Sequence, residues 1–234
     1  MDRHTDHVDT ARTLPAAAYG ALSAVDAALA AATGGSPRAR RFTKPLLMPL
    51  LATRTAATGT PGASRTLAAQ AFSWGGDVAL LGEGRGAFLT GLGSFLGAHV
   101  AYVSALRSRS TAPLLATAGR RRLFAAGSLL AAGMGAAAAR KDRAFALPVA
   151  GYGVTLVAMV TAAAAVDADR GRSEVVTGAA LFLASDSLLG IGKFLLHERR
   201  PALEAAVMAT YTAAQWCLAE GLAAGNHRPV TMDR

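Results

Sequence analysis

Charged residues are scarce in this chain of 234 residues, where Asp, Glu, Lys and Arg together make up only 17%. A typical soluble domain carries about 25% of them. Hydrophobic residues instead reach 52% and occur in long blocks, which favours an integral membrane protein over a soluble core. Cysteine is scarcer still, and Cys217 is the only cysteine of the sequence. A single cysteine excludes an intramolecular disulfide and a cysteine-based zinc site, and an apolar setting favours a small buried side chain over a nucleophile.

The first residues also lack the pattern of a cleaved signal peptide. Residues 1–12, MDRHTDHVDTAR, mix acidic and basic side chains and contain no apolar core. We therefore expect them to form a polar N-terminal tail, and the apolar block that starts near Leu14 to remain as a membrane span.

Acidic residues are outnumbered by basic ones, so the net charge is +9 and the isoelectric point is about 10.7. The basic residues lie in short clusters between apolar blocks, namely RARR (38–41), GRRR (119–122), RKDR (140–143) and HERR (197–200). Basic loops beside membrane spans are attracted to anionic lipid. A nucleic-acid partner is disfavoured, because no cluster interleaves basic with aromatic residues as a base-stacking surface does.

The apolar blocks have the length that a membrane span needs, about 20 residues. Eight predicted spans cover residues 13–33, 42–58, 65–82, 86–106, 121–139, 145–166, 175–196 and 202–224. Without an alternation of period two, these blocks must be helices and not barrel strands. The sequence thus predicts an all-α integral membrane bundle of eight transmembrane helices, a single domain over 13–224 with a C-terminal tail over 225–234.

An even number of spans places both termini on one side of the membrane. That side carries the larger share of arginine and lysine, which favours cytoplasmic termini in the cell membrane. Spans three and seven each hold an aspartate, Asp77 and Asp186, and spans two and six each hold an early proline, Pro45 and Pro148. This coincidence raises the alternative that the bundle is a 4+4 pseudo-repeat.

Asp77 and Asp186 are the least expected residues of these blocks. A charged side chain at the centre of a span costs at least about 2.5–3.5 kcal/mol and usually faces the bundle interior at a functional site. Asp77 shares a helix face with Gln70 and Trp74, and Asp186 shares one with Lys193. Two such carboxylates repel each other unless one is protonated or a cation lies between them. We interpret them as a functional pair.

Other polar side chains of the spans are candidates for substrate binding or for support of the pair. They are Lys44, Gln70, Trp74, His99, Tyr102, Ser185, Lys193, Tyr211 and Gln215. Each except Ser185 also has a structural interpretation: the lysines snorkel to the interface, Trp74 packs in the interior, the tyrosines anchor at the interface, and the glutamines and His99 form interhelical hydrogen bonds. A further aspartate, Asp26, lies in the first span. A metal site is not expected, because His99 is the only histidine well inside a span.

Five motifs in chain order resemble the YhhN family of membrane proteins. They are KPLLMPLLA (44–52), AFSWGGDVALL (71–81), GLGSFLGAHVAY (91–102), ALFLASDSLL (180–189) and YTAAQW (211–216). The resemblance implies eight spans, and it places the family's two intramembrane aspartates on Asp77 and Asp186. It gives no support to Asp26. The animal members of the family are lysoplasmalogenases, which hydrolyse the vinyl-ether bond of lysoplasmalogens to a fatty aldehyde and a glycerophospho-alcohol.

Two carboxyl groups suit that chemistry. Water adds to a vinyl ether after a proton reaches the β-carbon, so one carboxyl must act as the acid while the other is ionised and stabilises the cation or activates water. The sequence does not decide which aspartate has which role. Lys44 or Lys193 could bind the lipid phosphate, and His99 or Tyr102 could orient water. The expected partner is a membrane lysophospholipid, and no cofactor or metal is required.

Two other functions remain open at this stage. Intramembrane Asp, Lys and His also form proton relays, so a proton-coupled membrane carrier is the first alternative. The second is a non-enzymatic, lipid-interacting membrane protein in which the polar groups only fix the packing of the helices. The sequence indicates no oligomeric state.

Overall fold

A computed structural model describes residues 3–32, 37–196, 198 and 200–224, and this part of the chain is helical without a β-strand. Eight helices follow one another: α1 (Arg3–Ala31), α2 (Pro37–Ala57), α3 (Ala63–Ala79), α4 (Gly84–Arg107), α5 (Ala118–Ala139), α6 (Ala146–Ala163), α7 (Arg172–Gly190) and α8 (Pro201–Ala223). A 3₁₀ turn over Arg143–Phe145 precedes α6, and a π-helical turn over Ile191–Leu195 continues α7. The predicted all-α class is confirmed.

The helix ends differ from the predicted spans mainly at the N-terminus. α1 begins at Arg3, so the backbone of residues 3–12 is continuous with the first helix, and the domain boundary predicted at residue 12 stays a prediction. A helix needs only its own backbone hydrogen bonds, so it can extend beyond its apolar part. The predicted C-terminal tail, residues 225–234, lies outside the described residues.

Four helical segments of the described chain are long and apolar enough to cross a membrane. They are Gly84–Arg107, Ala118–Ala139, Arg143–Ala163 and Arg172–Leu195. Large apolar side chains on these segments point outwards, and Leu130 and Leu147 are 75% and 85% exposed. Such outward apolar surface is unfavourable in water and matches lipid. The described chain therefore has the character of a multi-pass membrane protein.

The prediction of eight transmembrane helices is only partly supported, since the described residues form eight helices but only four helical segments are long and apolar enough to cross a membrane. α3 has only 17 residues, and α2 begins with the basic group Arg38, Arg40 and Arg41. α8 is rich in alanine, which is only mildly apolar, and includes Glu204 and Glu220.

Successive helices pack as neighbouring pairs, and the ends of the chain close the bundle. α1 contacts α2, α3 contacts α4, α5 contacts α6, and α7 contacts α8. α8 also packs against α1, α2 and α3, while α4 packs against α6. The fully buried core includes Leu51, Tyr102, Met159, Phe182 and Leu218. This closure brings α3 and α7, the helices that carry the two aspartates, around a common interior.

The α7–α8 contact depends on a glycine. A Cβ atom at Gly178 would lie 2.8 Å from the backbone nitrogen of Leu218 and 3.0 Å from the carbonyl oxygen of Ala214. We expect Gly178→Ala to lower the free energy of unfolding by about 1–3 kcal/mol, because two backbones must separate. Thermal unfolding of the purified protein in detergent measures this effect.

Gly133→Ala on α5 is the matched control, because no atom lies within 4 Å of a Cβ placed there. An exposed helical Gly→Ala change stabilises by roughly 0.5–1 kcal/mol. Equal shifts of the melting temperature for both variants would show that close packing at Gly178 does not matter.

Candidate functional site

The two candidate aspartates line one cavity in the middle of the bundle. This cavity, called here the carboxylate cavity, has a volume of about 280 Å³ and is bounded by side chains of α2 to α8 that include Asp77 and Asp186. Most of its other lining residues are Leu, Val, Phe and Met. Two of them, Leu130 and Leu189, are also exposed on the outer surface of the bundle. The cavity therefore reaches the surface that faces lipid.

Asp77 is held by a cation and a hydroxyl group from two other helices. The Nζ atom of Lys44 on α2 lies 3.2 Å from its Oδ1, and the hydroxyl of Tyr211 on α8 donates to its Oδ2 at 2.7 Å. Asp77 is buried, and the Lys44 side chain is only 11% exposed. Lys44 therefore does not snorkel to the interface, and it supplies the counter-charge of a buried carboxylate.

Asp186 has a different set of partners. The hydroxyl of Tyr152 on α6 donates to its Oδ2, and the Nε2 atom of His99 on α4 lies 3.5 Å from the same oxygen. The His99 Nε2 atom is also 3.0 Å from the Tyr152 oxygen. Since the hydroxyl proton of Tyr152 points to Asp186, a neutral His99 must donate from Nε2. Its Nδ1 atom is buried without a hydrogen-bond partner in the described part of the chain.

The hydrogen bonds distinguish the two carboxyl groups. Both oxygens of Asp77 face donors, which fits an ionised, acceptor-only carboxylate. Asp186 receives its donor on Oδ2, and no donor among the described residues reaches its Oδ1. Among the residues that the structure describes, Asp186 also forms no ion pair with a lysine or arginine. Among the described residues, Oδ1 of Asp186 is thus the carboxyl oxygen of the cavity that no donor reaches.

A second cavity adjoins the first and has a different chemical character. This basic cavity has a volume of about 470 Å³ and shares Lys44 and Lys193 with the carboxylate cavity. Its other charged lining residues are Arg40, Lys141, Glu198, Arg200 and Glu204. An apolar chamber with two carboxyl groups thus joins a chamber in which cations outnumber carboxylates.

Several sequence candidates fall within this pair of cavities. Ser185 and Tyr211 line the carboxylate cavity, and Ser185 donates to the carbonyl oxygen of Val207 at 3.1 Å. Tyr211 is buried, so it is not an interface anchor. His99 is not among the lining residues, and it reaches Asp186 directly and through Tyr152.

Four other candidates lie away from the lining. Gln70 donates to the Thr55 hydroxyl at 2.8 Å. The hydroxyl of Tyr102 donates to Oε1 of Gln215 at 2.5 Å, and Nε2 of Gln215 donates to the Ser73 hydroxyl at 2.9 Å. These are bonds between helices, so the structural interpretation of the two glutamines fits their position, whereas Tyr102 is fully buried and is not an interface anchor.

Trp74 is the fourth of these residues. It is 45% exposed and donates to the carbonyl oxygen of Pro45 at 3.0 Å, so it neither packs in the interior nor lines the cavity.

The sequence analysis missed Tyr152 altogether. It lies in the middle of the apolar helix α6, whereas tyrosines of membrane helices usually lie near the interface, and this position was the available signal. A cluster around Asp26 was also missed: Arg40 lies 3.3 Å from its Oδ2, and Thr43 donates to its Oδ1 at 2.6 Å. Asp26 is thus buried between α1 and α2, outside the carboxylate cavity.

Comparison with known proteins identifies a matching protein family. The YhhN family model matches residues 39–222, a range that includes Asp77 and Asp186 and excludes Asp26. Two curated proteins named lysoplasmalogenase, from Mycobacterium bovis and Mycobacterium tuberculosis, are each 34% identical over 150 residues, which is 61% of this chain and 54% of each relative. The chain thus spans about half the length of the curated relatives it matches. No solved structure matches it significantly.

Proposed function

Because this chain belongs to the YhhN family, we propose that it is an intramembrane hydrolase of the lysoplasmalogenase type. It cleaves the vinyl-ether bond of a lysophospholipid and releases a fatty aldehyde and a glycerophospho-alcohol. The similarity to two proteins named lysoplasmalogenase supports this reaction. The observation that carries the proposal is the pair of carboxyl groups, one with both oxygens occupied by donors and one with a free oxygen, on the wall of one apolar cavity.

Asp186 acts as the acid in the first step. Its Oδ1 transfers a proton to the β-carbon of the vinyl ether, which leaves an oxocarbenium ion and an Asp186 carboxylate. Tyr152 holds Oδ2 and so directs the transferable proton to Oδ1. The two carboxylates then stabilise the cation across an apolar cavity, where charges interact more strongly than in water.

Asp77 acts as the base in the second step. It takes a proton from the water molecule that attacks the oxocarbenium carbon, which gives a neutral hemiacetal and a protonated Asp77. Each carboxylate oxygen has two lone pairs, so Asp77 can accept from water while it is held by Lys44 and Tyr211.

The third step returns both groups to their starting state. The Asp186 carboxylate removes the hydroxyl proton of the hemiacetal as its carbon–oxygen bond to glycerol breaks, and Asp77 protonates the departing alkoxide. The products are an aldehyde and an alcohol. Asp186 again carries its proton, and Asp77 is again ionised, so one water molecule is consumed and no net proton is released.

The proposal includes a membrane arrangement. All eight helices lie in the cell membrane with cytoplasmic termini, and α1, α2, α3 and α8 are retained by packing against the four more apolar segments. The lipid chain enters from the side, where Leu130 and Leu189 belong both to the cavity wall and to the outer surface. Lateral entry suits a substrate that is itself a component of the membrane.

A comparison of two lipids tests the proposed reaction. We expect the purified protein to release aldehyde from a lysophospholipid with a vinyl-ether chain, and none from the saturated alkyl-ether analogue of equal length and headgroup. In deuterated water, the aldehyde should carry one deuterium on the carbon next to its carbonyl group. Reduction of the aldehyde to the alcohol in situ preserves this label, because the alcohol does not exchange it with the solvent. Proton movement in liposomes upon lipid addition, without aldehyde, would instead favour the carrier.

A further inference from the structure

The basic cavity contains cations for which the proposed cleavage chemistry has no role. Lys44 is paired with Asp77, and Arg40 is paired with Asp26, so the charges of these two residues are compensated. Lys141, Lys193 and Arg200 have no carboxylate partner among the ion pairs of the described residues, and all three line the basic cavity. Glu198 is the one lining carboxylate without an ion-pair partner among the described residues, so positive charge is in excess directly beside the carboxylate cavity.

Lys193 is placed there by an irregular turn of the helix. The π-helical turn Ile191–Leu195 follows α7, and the amide of Leu196, directly after the turn, donates to the carbonyl oxygen of Ile191 at 3.1 Å. Such turns change the direction of the following side chains and are frequent at functional sites. The Nζ atom of Lys193 lies 4.3 Å from the ring centroid of Phe88, while the side chain as a whole is exposed and lines both cavities.

Lys141 stabilises this turn from a neighbouring segment. Its Nζ atom donates to the carbonyl oxygen of Lys193 at 2.6 Å and contacts that of Leu196 at 3.4 Å. These carbonyls lie at the end of a helix, where they lack intrahelical donors. Lys141 thus fixes the backbone position of Lys193, and the Phe88 ring attracts the ammonium group of Lys193 through a cation–π contact.

We propose that Lys193 and Arg200 form a binding site for the phosphate of a lysophospholipid headgroup, with Lys141 as a positioning residue. The identity of the lipid rests on the proposed function. In such a lipid only the glycerol backbone separates the ether oxygen from the phosphate, so the phosphate must bind close to the carboxyl pair. The basic cavity meets the carboxylate cavity at Lys44 and Lys193, which satisfies this requirement.

Binding without turnover tests the site. The probes are the saturated alkyl-ether lysophospholipid, which has no vinyl-ether bond, and the alkylglycerol of the same chain, which has no phosphate. We expect Lys193→Met to raise the Kd of the phospholipid in nanodiscs about tenfold, the loss of one charge-assisted contact, and to leave the Kd of the alkylglycerol unchanged. Lys193→Arg should retain most of the affinity, and Arg65→Gln, which removes an exposed arginine at the start of α3, should change neither value.

Lys141 needs a separate readout because it acts through Lys193. Lys141→Gln should also weaken binding of the phospholipid, and Lys141→Arg should restore it because the guanidinium can reach the same carbonyls. If Lys141 acts only through Lys193, Lys141→Gln should have no further effect on the Kd in the Lys193→Met background. A further loss of affinity in that background would contradict the positioning role.

Two outcomes would overturn the subsite. One is an equal loss of affinity for the phospholipid and the alkylglycerol in Lys193→Met, which would indicate a damaged cavity. The other comes from a competition experiment with the bound alkyl-ether lysophospholipid. If inorganic phosphate displaces this lipid as readily as glycerophosphoethanolamine does, the site binds free anions and not a lipid headgroup. Absence of aldehyde from the wild type, with binding that still depends on Lys193, would contradict the cleavage reaction and support the subsite.

Discussion

Asp186→Asn is expected to lower the kcat of aldehyde release by about three orders of magnitude, the usual contribution of a general acid. The amide has nearly the same shape as the carboxyl group, and its oxygen can still accept the hydrogen bond from Tyr152. It cannot donate a proton to carbon, so the first step loses its acid. Steady-state aldehyde formation at saturating vinyl-ether lipid measures this effect.

Asp167→Asn is the matched control for the same chemical change outside the cavities. The Asp167 carboxylate accepts from the backbone amide and the hydroxyl of Thr111 in a peripheral loop, so kcat should be unchanged. Asp186→Asn should bind the saturated analogue as the wild type does, which shows that the cavity is intact. A kcat within threefold of the wild type in Asp186→Asn would exclude this residue as the acid.

The sequence predicts the helices well because each membrane helix must satisfy its backbone hydrogen bonds internally. Their number and order therefore follow from the apolar blocks alone. The assignment of all eight as transmembrane spans is supported for four helical segments only, because Ala-rich helices such as α8 are only mildly apolar. The π-helical turn at Ile191–Leu195, which contains Lys193, has no signature in the periodicity of the sequence.

The two aspartates of the site follow from the sequence because a carboxyl group in a span is costly. Their helix faces are predicted less accurately. Gln70 lies about 20° round an ideal helix from Asp77, whereas Trp74 lies about 60° away, which is enough to turn it outwards. Lys44 and Tyr152 find their aspartate partners across helices, and a single sequence contains no signal for such pairs.

The contacts of the two aspartates are arranged alike, which bears on the 4+4 pseudo-repeat. Asp77 on α3 is contacted from α2 and α8, and Asp186 on α7 is contacted from α6 and α4. In a repeat of four helices, α2 corresponds to α6 and α8 corresponds to α4. The repeat stays a prediction. It would relate the two carboxyl sites to each other, and their different partners suit the two different protonation states of the proposed chemistry.

Lys44→Met is expected to lower the free energy of unfolding by about 3–5 kcal/mol, because it leaves a buried carboxylate without its counter-charge. Asp77→Asn should cost a similar amount, since it leaves the Lys44 ammonium unpaired in the bundle. The double variant should recover most of the loss, because no buried charge then remains. Unfolding in detergent for the wild type, both single variants and the double variant gives the coupling free energy.

Activity separates the double variant from the wild type. It should be as stable as the wild type within about 1–2 kcal/mol but release no aldehyde above background, because the base of the second step is missing. Lys193→Met is the control for loss of a lysine, and we expect it to change stability by at most about 1 kcal/mol, since Lys193 is exposed and loses only its cation–π contact with Phe88. Strictly additive effects of Lys44→Met and Asp77→Asn would show that the two side chains do not form a coupled pair. The proposed ionised state of Asp77 would then need another cause, and the proposed assignment of acid to Asp186 and base to Asp77 would lose its electrostatic basis.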